Sequence, residues 1–352
     1  MDPDNDIGIG IVGCGMISAI QAEAIGRVPG ARVVAFCDPS QTKAAERAAQ
    51  YGGTAFTRVE DLLASRKVQA VSICTPSGKH MEAAVAAARA KKHVIVEKPL
   101  EVTLDRVDAI IAACKDNGVT LGAIFPRRLM DSSKTLKQAI DAGRFGSIVL
   151  ADVYIKWYRT QEYYDSGGWR GTVKYDGGGA LMNQGIHGID LLQWLMGGVQ
   201  RVTAFAATRA HTGLAVEDVA VASLQFRSGA LGVIEATTGA WPGERIRVEV
   251  SGSSGSVVVE DEAIRTWQFR ETSADDKAIR ERLGPREGLT TGGATDPRAI
   301  DSEGHRRQFQ DFVAAIRERR APQIDGSAGR AAVAIVGAIY RSAREGRVVS
   351  VE

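Results

Sequence analysis

Cysteine is scarce in this chain: four in 352 residues, at positions 14, 37, 74 and 114, with no C-x-x-C pair among them. The spacing excludes a disulfide scaffold and offers no set of metal ligands, so no metal is expected. Cys14, Cys37, Cys74 and Cys114 read instead as small buried apolar residues in a reducing cytoplasm. An excess of charge is missing too. The 44 Lys and Arg against 42 Asp and Glu leave a net +2, which suggests neither a nucleic-acid tract nor an acidic tail. No apolar run approaches the ~20 residues that span a bilayer, which excludes a membrane partner. The opening MDPDNDIGIG has no basic stretch ahead of an apolar one, so no cleavable export signal is expected. Internal repeats and low-complexity segments are absent as well.

What remains is ordinary globular material, 44% hydrophobic and 24% charged, in a chain long enough for two domains. Residues 7 to 124 alternate short apolar runs (IGIGIVG, ARVVAFCD, GTAF, AVSICTP, HVIVEKP, TLGAIF) with helical stretches. Near-continuously apolar strands separated by helices predict a doubly wound parallel sheet covered on both faces. After Pro126 the pattern changes. A helical DSSKTLKQAIDAG leads to the long strand GSIVLADVYIKWYR and a Gly-opened helix, then to six strands joined by Gly/Ser turns. That order predicts an α+β domain with a large open, mainly antiparallel sheet. Residues 271 to 303 read as a polar surface excursion, and two helices close the chain. The expected division is 1–125 and 126–352.

The first strand runs into GIVGCGMIS, a G-x-G-x-x-S arrangement of Gly13, Gly15 and Ser18 that opens a helix. Gly13 allows a tight turn and Gly15 lets a pyrophosphate approach the backbone. Met16 and Ile17 start the helix, whose N-terminus supplies free N–H groups. Asp38 ends the second strand about twenty residues on, placed to accept ribose hydroxyls and to repel a 2′-phosphate. The cofactor expected is NAD rather than NADP. Thr75 and Pro76 end the fourth strand, at the edge where such sheets bind ligands. His80, four residues further, either touches the cofactor or sits on the first turn of a helix. Glu97, Lys98 and Pro99 end the fifth strand. Lys98 either points its ammonium at a substrate hydroxyl, where it would stabilise a developing alkoxide, or is a solvated lysine at a loop start.

Asp176 to Trp194 read DGGGALMNQGIHGIDLLQW. Asn183, His187 and Asp190 lie at i, i+4 and i+7, which on a helix is one face. The motifs GIVGCGMIS, CTPSGKH, VEKPL and GGGALMNQGIHGIDLL, in this order, resemble the Gfo/Idh/MocA family of nicotinamide-dependent oxidoreductases along essentially the whole chain. QEYYDSGGWRGT followed by GGGALMNQ is similar to the subgroup that oxidises C3 of UDP-N-acetylglucosaminuronate.

The resemblance implies that the Gly-opened helix faces the nicotinamide pocket. His187 would take the hydroxyl proton, a task suited to an imidazole at neutral pH. Lys98 would polarise the same oxygen, and Asp190 would orient His187 or cap a supporting network. Many family members carry Asp where this chain has Asn183. Asn cannot act as a base, so the proton work falls to His187 or Lys98. Arg127, Trp169 and Arg170 match family positions near cofactor and substrate. Tyr163 and Tyr164 either contact a sugar ring or pack. His305 either reaches the pocket mouth or caps it. His93 reads as structural and His211 as an exposed hairpin residue.

The expected function is reversible NAD-dependent oxidation of a secondary alcohol, at ring C3, of a sugar, cyclitol or UDP-sugar by a homodimer or homotetramer. Two alternatives compete. A non-catalytic NAD-sensing regulator of the same fold has no need for both Lys98 and His187. A sugar oxidoreductase with tightly bound NADP is opposed by Asp38 and by the lack of an export signal.

Overall fold

β1 (Ile7–Val12) is buried at every position, as expected of a central strand covered on both faces. It is followed by α1 (Met16–Gly26), β2 (Ala31–Cys37), α2 (Gln41–Tyr51), β3 (Thr54–Phe56), α3 (Val59–Ala64), β4 (Ala70–Ile73), α4 (His80–Arg89), β5 (His93–Val96), α5 (Leu104–Asn117) and β6 (Leu121–Ala123). The strands pair in parallel in the order β3-β2-β1-β4-β5-β6. The chain therefore winds outward in both directions from the β1–β4 junction. In such a sheet a dinucleotide binds outside the carboxyl ends of the strands at that junction. This is a computed structural model, and it describes residues 6–285, 292–295 and 302–352.

The second part of the chain contributes α6 (Asp131–Asp141), β7 (Ile148–Lys156), α7 (Gln161–Asp165), α8 (Ile186–Met196), β8 (Val199–Ala207), β9 (Val219–Phe226), β10 (Leu231–Thr237), β11 (Arg247–Gly252), β12 (Gly255–Glu260) and β13 (Ala263–Phe269). They are followed by α9 (Asp276–Leu283), α10 (Glu303–Glu318), α11 (Gly326–Glu345) and β14 (Val349–Ser350). The eight-stranded sheet runs β13-β12-β11-β7-β10-β9-β8-β14. Only the β7–β10 pair is parallel. One face carries α8, whose Gly188 lies against Val153 and Ile155. The other face leaves Leu150, Val221, Leu231 and Phe205 exposed, Phe205 at 86%. Phe205 and Val221 are direct cross-strand partners.

The chain divides into two compact units, but not at a single point. Unit 1 takes Met1–Pro126, Lys174–Gly177 and Ile300–Arg330, and unit 2 takes the rest. The first break, after Pro126, lies within one residue of the expected 125/126, but the expected assignment of all of 126–352 to the second domain needs correction, because α10 returns to the first unit. Its Phe309, Phe312 and Val313 join Ile9, Ile11, Ile25, Phe36 and Ile95 in one buried cluster. An amphipathic helix goes where its apolar stripe is covered, whatever its place in the sequence. The excursion at 271–303 contains a helix, α9; residues 286–291 and 296–301 of it lie outside the described residues.

All four cysteines are free and buried. Burial pushes the thiols of Cys14 and Cys114 up to about 12 and that of Cys37 up to about 11. Among the described residues no cluster of His, Cys, Asp or Glu could hold a metal, and no helix is long and apolar enough to cross a membrane.

Candidate active site

The cofactor half of the site lies in the first unit, at the loop between β1 and α1. Gly13 has φ +96°, and a Cβ there would press on the backbone of Cys74 and Thr75 at 2.6 to 2.8 Å. Only glycine fits. A Cβ on Gly15 would meet nothing within 4 Å, so the loop leaves open space above the second glycine. No side chain caps the N-terminus of α1, and its first turn holds no acidic residue. Its N–H groups and partial positive charge are thus left for an anion. Met16 is exposed and Ile17 half-buried at that helix start, while Ser18 is buried and donates to the Gly15 carbonyl at 2.6 Å.

Asp38 is half-buried and accepts from Cys14 N and Ser40 N, each at 2.9 Å. These bonds fix the carboxylate beside the glycine loop. Thr75 and Pro76 are half-buried at the end of β4, and Thr75 Oγ1 is a buried oxygen without a hydrogen-bond partner. The glycine cradle, the uncapped helix and this oxygen all suit a dinucleotide.

Lys98 is half-buried just past β5. The residue before it anchors a buried network. Gln21 Nε2 donates to Glu97 Oε1 at 2.6 Å, Lys98 N donates to Glu97 Oε2 at 3.1 Å, and His305 Nε2 lies 3.6 Å from Glu97 Oε1. Burial pushes the Glu97 carboxyl up, but His305 and Lys98 outweigh it and hold it below the usual carboxylate range. Glu97, expected from sequence among the cofactor-binding residues, is a buried acceptor that fixes the backbone at Lys98. His305 is buried against Glu97.

The structure also decides between the two readings of His80. It is buried, with Nδ1 2.9 Å from the Pro99 carbonyl and Nε2 3.0 Å from the Thr75 carbonyl. With both ring nitrogens engaged by backbone, His80 braces the two strand-end loops against each other, and the expected cofactor contact is corrected. Burial lowers its pKa below the ordinary histidine value, against the pull of those carbonyls and Glu101.

The second unit holds the Gly-opened segment, which is not one uniform helix. Ala180–Gly185 is π-helical and runs into α8. Glu217, just ahead of β9, caps its start. The Glu217 carboxylate accepts from Gly179 N at 3.0 Å, Leu181 N at 2.8 Å and the Tyr340 hydroxyl at 2.8 Å, and its carbonyl accepts from Ala180 N at 3.0 Å. A Cβ on Gly179 would lie 1.7 Å from that carbonyl oxygen, and one on Gly178 would lie 2.0 Å from the Tyr340 hydroxyl. The clearance left by these two glycines is therefore taken up by Glu217 and Tyr340. Burial raises the Glu217 carboxyl above its ordinary value, opposed by the donors from Leu181, Tyr340 and Gly179.

Asn183 and His187 are both half-buried on this segment, whereas Asp190 is 1% exposed. Asp190 is bound by Arg128 through Nε at 2.7 Å and Nη2 at 2.5 Å. Its carboxylate is the buried partner of Arg128, which fits the second of its two expected roles, capping a supporting network. Burial still raises its pKa, with Arg128 pulling the other way.

Arg127 also has a protein partner, donating from Nη1 to Asp261 at 2.8 Å. Arg170 stacks over Tyr163 at 4.5 Å and over Trp169 at 5.3 Å, so these two expected contacts sit together beside α7. Tyr164 packs: it is buried, edge-on to His211, with its hydroxyl on Thr238. His211 is buried rather than exposed and bridges Asp218 Oδ2 and the Arg159 carbonyl. His93 is structural, accepting from Thr120 N at 3.0 Å. Reading by motif passed over Arg159, Gln184, Glu217 and Tyr340. Of these only Gln184, beside Asn183, carried a local signal.

A glycine cradle, an uncapped helix and a carboxylate held beside the glycine loop suit the first unit to the dinucleotide-binding part of an NAD-dependent oxidoreductase. Residues 7–125 match a family model described as an oxidoreductase family, NAD-binding Rossmann fold, and residues 133–258 match the GFO/IDH/MocA C-terminal domain. The chain belongs to the Gfo/Idh/MocA family, whose members include NAD-dependent dehydrogenases of sugars and cyclitols. It is similar to the WlbA dehydrogenase of Bordetella pertussis, solved with NADH and UDP-GlcNAcA: 34% identity, TM-score 0.90, 99% of each chain covered. It is similar to levoglucosan dehydrogenase solved with NADH, at 25% identity, TM-score 0.86 and 99% of each chain. It is also 29% identical over 357 residues to the myo-inositol 2-dehydrogenase of Thermotoga maritima, covering 98% of each chain.

Proposed function

We infer that the chain oxidises a ring hydroxyl, at C3, of a UDP-sugar of the N-acetylglucosaminuronate type, with Lys98 and His187 serving the same oxygen. The observation that carries this reading is Lys98 at the carboxyl end of β5, on the strand edge where the dinucleotide binds. The full-length likeness to a protein solved with NADH and UDP-GlcNAcA supports the substrate class. Bound NAD supplies a hydride acceptor at its nicotinamide ring. The chain's own residues do the rest. The Lys98 ammonium holds the hydroxyl oxygen and stabilises negative charge as it develops there. His187 takes the proton. The Glu97 network fixes the backbone from which Lys98 projects.

Asp38 favours NAD, with its carboxylate set to accept ribose hydroxyls and repel a 2′-phosphate. The buried free cysteines suit a reducing cytoplasm. The exposed apolar face of the large sheet supports self-association into a homodimer or homotetramer.

The test is NADH formation at 340 nm with NAD and a panel of UDP-N-acetylglucosaminuronate, free pyranoses, anhydrosugars and inositols. Turnover on the UDP-sugar alone bears the reading out. Turnover on a free sugar or cyclitol alone overturns the substrate assignment and leaves the likeness as one of scaffold. No turnover with any of them favours the NAD-sensing alternative.

A further inference from the structure

A dinucleotide-binding loop ordinarily ends on a third glycine or an alanine, where the helix packs closely on its strand. This chain has Ser18 there, fully buried. Its hydroxyl donates to the Gly15 carbonyl at 2.6 Å and accepts from Arg47 Nε at 3.2 Å. Neither glycine nor alanine has a side-chain acceptor for that second bond. Arg47 Nη2 makes a longer contact to the same Gly15 carbonyl, at 3.4 Å, and Nη1 donates to Gln50 Oε1 at 3.0 Å. The departure from the usual loop therefore ties a guanidinium to the first turn of α1.

The direction of the Arg47 side chain follows from the helix that carries it. Side chains on a helix lean toward its N-terminus. For α2 that end lies just past Asp38, at the carboxyl end of β2, the sheet edge where a dinucleotide binds. Arg47 is half-buried, and Lys43, one turn nearer that edge, is exposed. Both cations act on the glycine loop itself: burial, Asp38 and Cys37 push the Cys14 thiol up, while Arg47 and Lys43 pull it down.

Arg47 also lacks a matching carboxylate. Its acceptors among the described residues are a hydroxyl, a carbonyl and an amide, all neutral. Arg27 and Arg106 of the same unit pair instead with Glu303 and Glu82. A guanidinium has five N–H donors, so Arg47 keeps N–H groups for an anion. The first turn of α1 holds no acidic residue to take them.

We propose that Ser18 holds Arg47 at the start of α1 as a cofactor-binding residue, with its guanidinium on the pyrophosphate of NAD. The inference concerns the cofactor alone and stands whatever sugar the chain oxidises. A pyrophosphate bridge carries about two negative charges, against which a helix terminus sets only about half an elementary charge. A half-buried guanidinium beside that terminus adds a full charge and directional N–H groups. Asp38 repels a 2′-phosphate, so the pyrophosphate is the phosphate this cation serves.

The experiment measures NADH affinity of the full chain, by quenching of tryptophan fluorescence, in wild type, Arg47→Met, Ser18→Ala and the double variant. Arg47→Met should raise the NADH Kd about tenfold. Ser18→Ala should raise it less, and the double variant no more than Arg47→Met alone, because the serine acts through the arginine. Between about 0.05 and about 0.5 M NaCl the Kd of the wild type should rise more steeply than that of Arg47→Met.

Displacement of NADH by ADP-ribose, which keeps the pyrophosphate, and by adenosine, which lacks it, separates a lost contact from a damaged fold. In Arg47→Met the ADP-ribose affinity should fall with that of NADH, and the adenosine affinity should hold. An unchanged NADH Kd overturns the proposal. So does an equal loss for adenosine, or a double variant whose loss is the product of the two single ones. A loss confined to NADPH overturns the pyrophosphate assignment and makes Arg47 a ligand of a 2′-phosphate.

Discussion

Arg128 grips both oxygens of Asp190, from Nε at 2.7 Å and from Nη2 at 2.5 Å, with the carboxylate 1% exposed. The pair ties the short turn ahead of α6 to the middle of α8. Asp190→Ala would leave a buried guanidinium without its counter-charge, which costs about 3–5 kcal/mol. Urea unfolding of this variant should show a loss of that size, while the folded fraction keeps its NADH affinity. An unchanged midpoint would contradict the structural role assigned to Asp190.

A second ion pair predicts how stability depends on pH. Arg144 donates to both oxygens of Asp276, at 2.7 and 2.9 Å, and Trp267 Nε1 and Ser273 N donate to the same carboxylate at 2.7 Å. The Arg144 hydrogen bonds come first among the causes that hold this carboxyl well below its ordinary value. A group with a depressed folded pKa stabilises the protein above its unfolded pKa, near ~3.9 for Asp, and loses that contribution as pH falls toward the folded value. The stability gap between wild type and Asp276→Asn should therefore be widest near pH 7 and narrow below about pH 4. Urea melts at four or five pH values measure it, and a gap independent of pH would contradict the assignment.

The exposed face of the large sheet predicts the state of association. Phe205, Val221, Leu150 and Leu231 lie on it, and Phe205 is the most exposed. An apolar patch of this kind marks a contact surface. Light scattering during size exclusion should give a mass that is a multiple of one chain for the wild type. For Phe205→Glu the mass should shift toward that of a single chain. A wild type that runs as a monomer would remove the proposed interface.

Which parts of this architecture could be read from sequence depends on the range of the contacts involved. The nucleotide loop was legible because Gly13, Gly15, Ser18 and Asp38 are tied to a strand–turn–helix unit that local pattern reveals. The open sheet was legible for a similar reason: β9 and β10 alternate buried and exposed positions with the period of a half-covered strand. The partners of polar residues were not. Asp190 finds Arg128 sixty-two positions away, and Gln184 finds Arg159 across twenty-five. Nothing in either neighbourhood specifies the pairing. The same holds for α10, whose apolar stripe is plain in sequence but whose destination, the first unit's core, is a property of the folded chain. The π-helical start of the Gly-opened segment depends on the Glu217 cap and was read as a regular helix.

The most direct test of the account is Lys98→Met. The substitution keeps the length of the side chain and removes its charge, at a position outside the glycine loop and Asp38. NADH binding, followed by quenching of tryptophan fluorescence, should stay within about twofold of wild type, and turnover on the substrate found at 340 nm should fall by about a thousandfold or more. Loss of NADH binding would make Lys98 part of the cofactor site alone. Undiminished turnover would remove it from the chemistry and contradict the central claim.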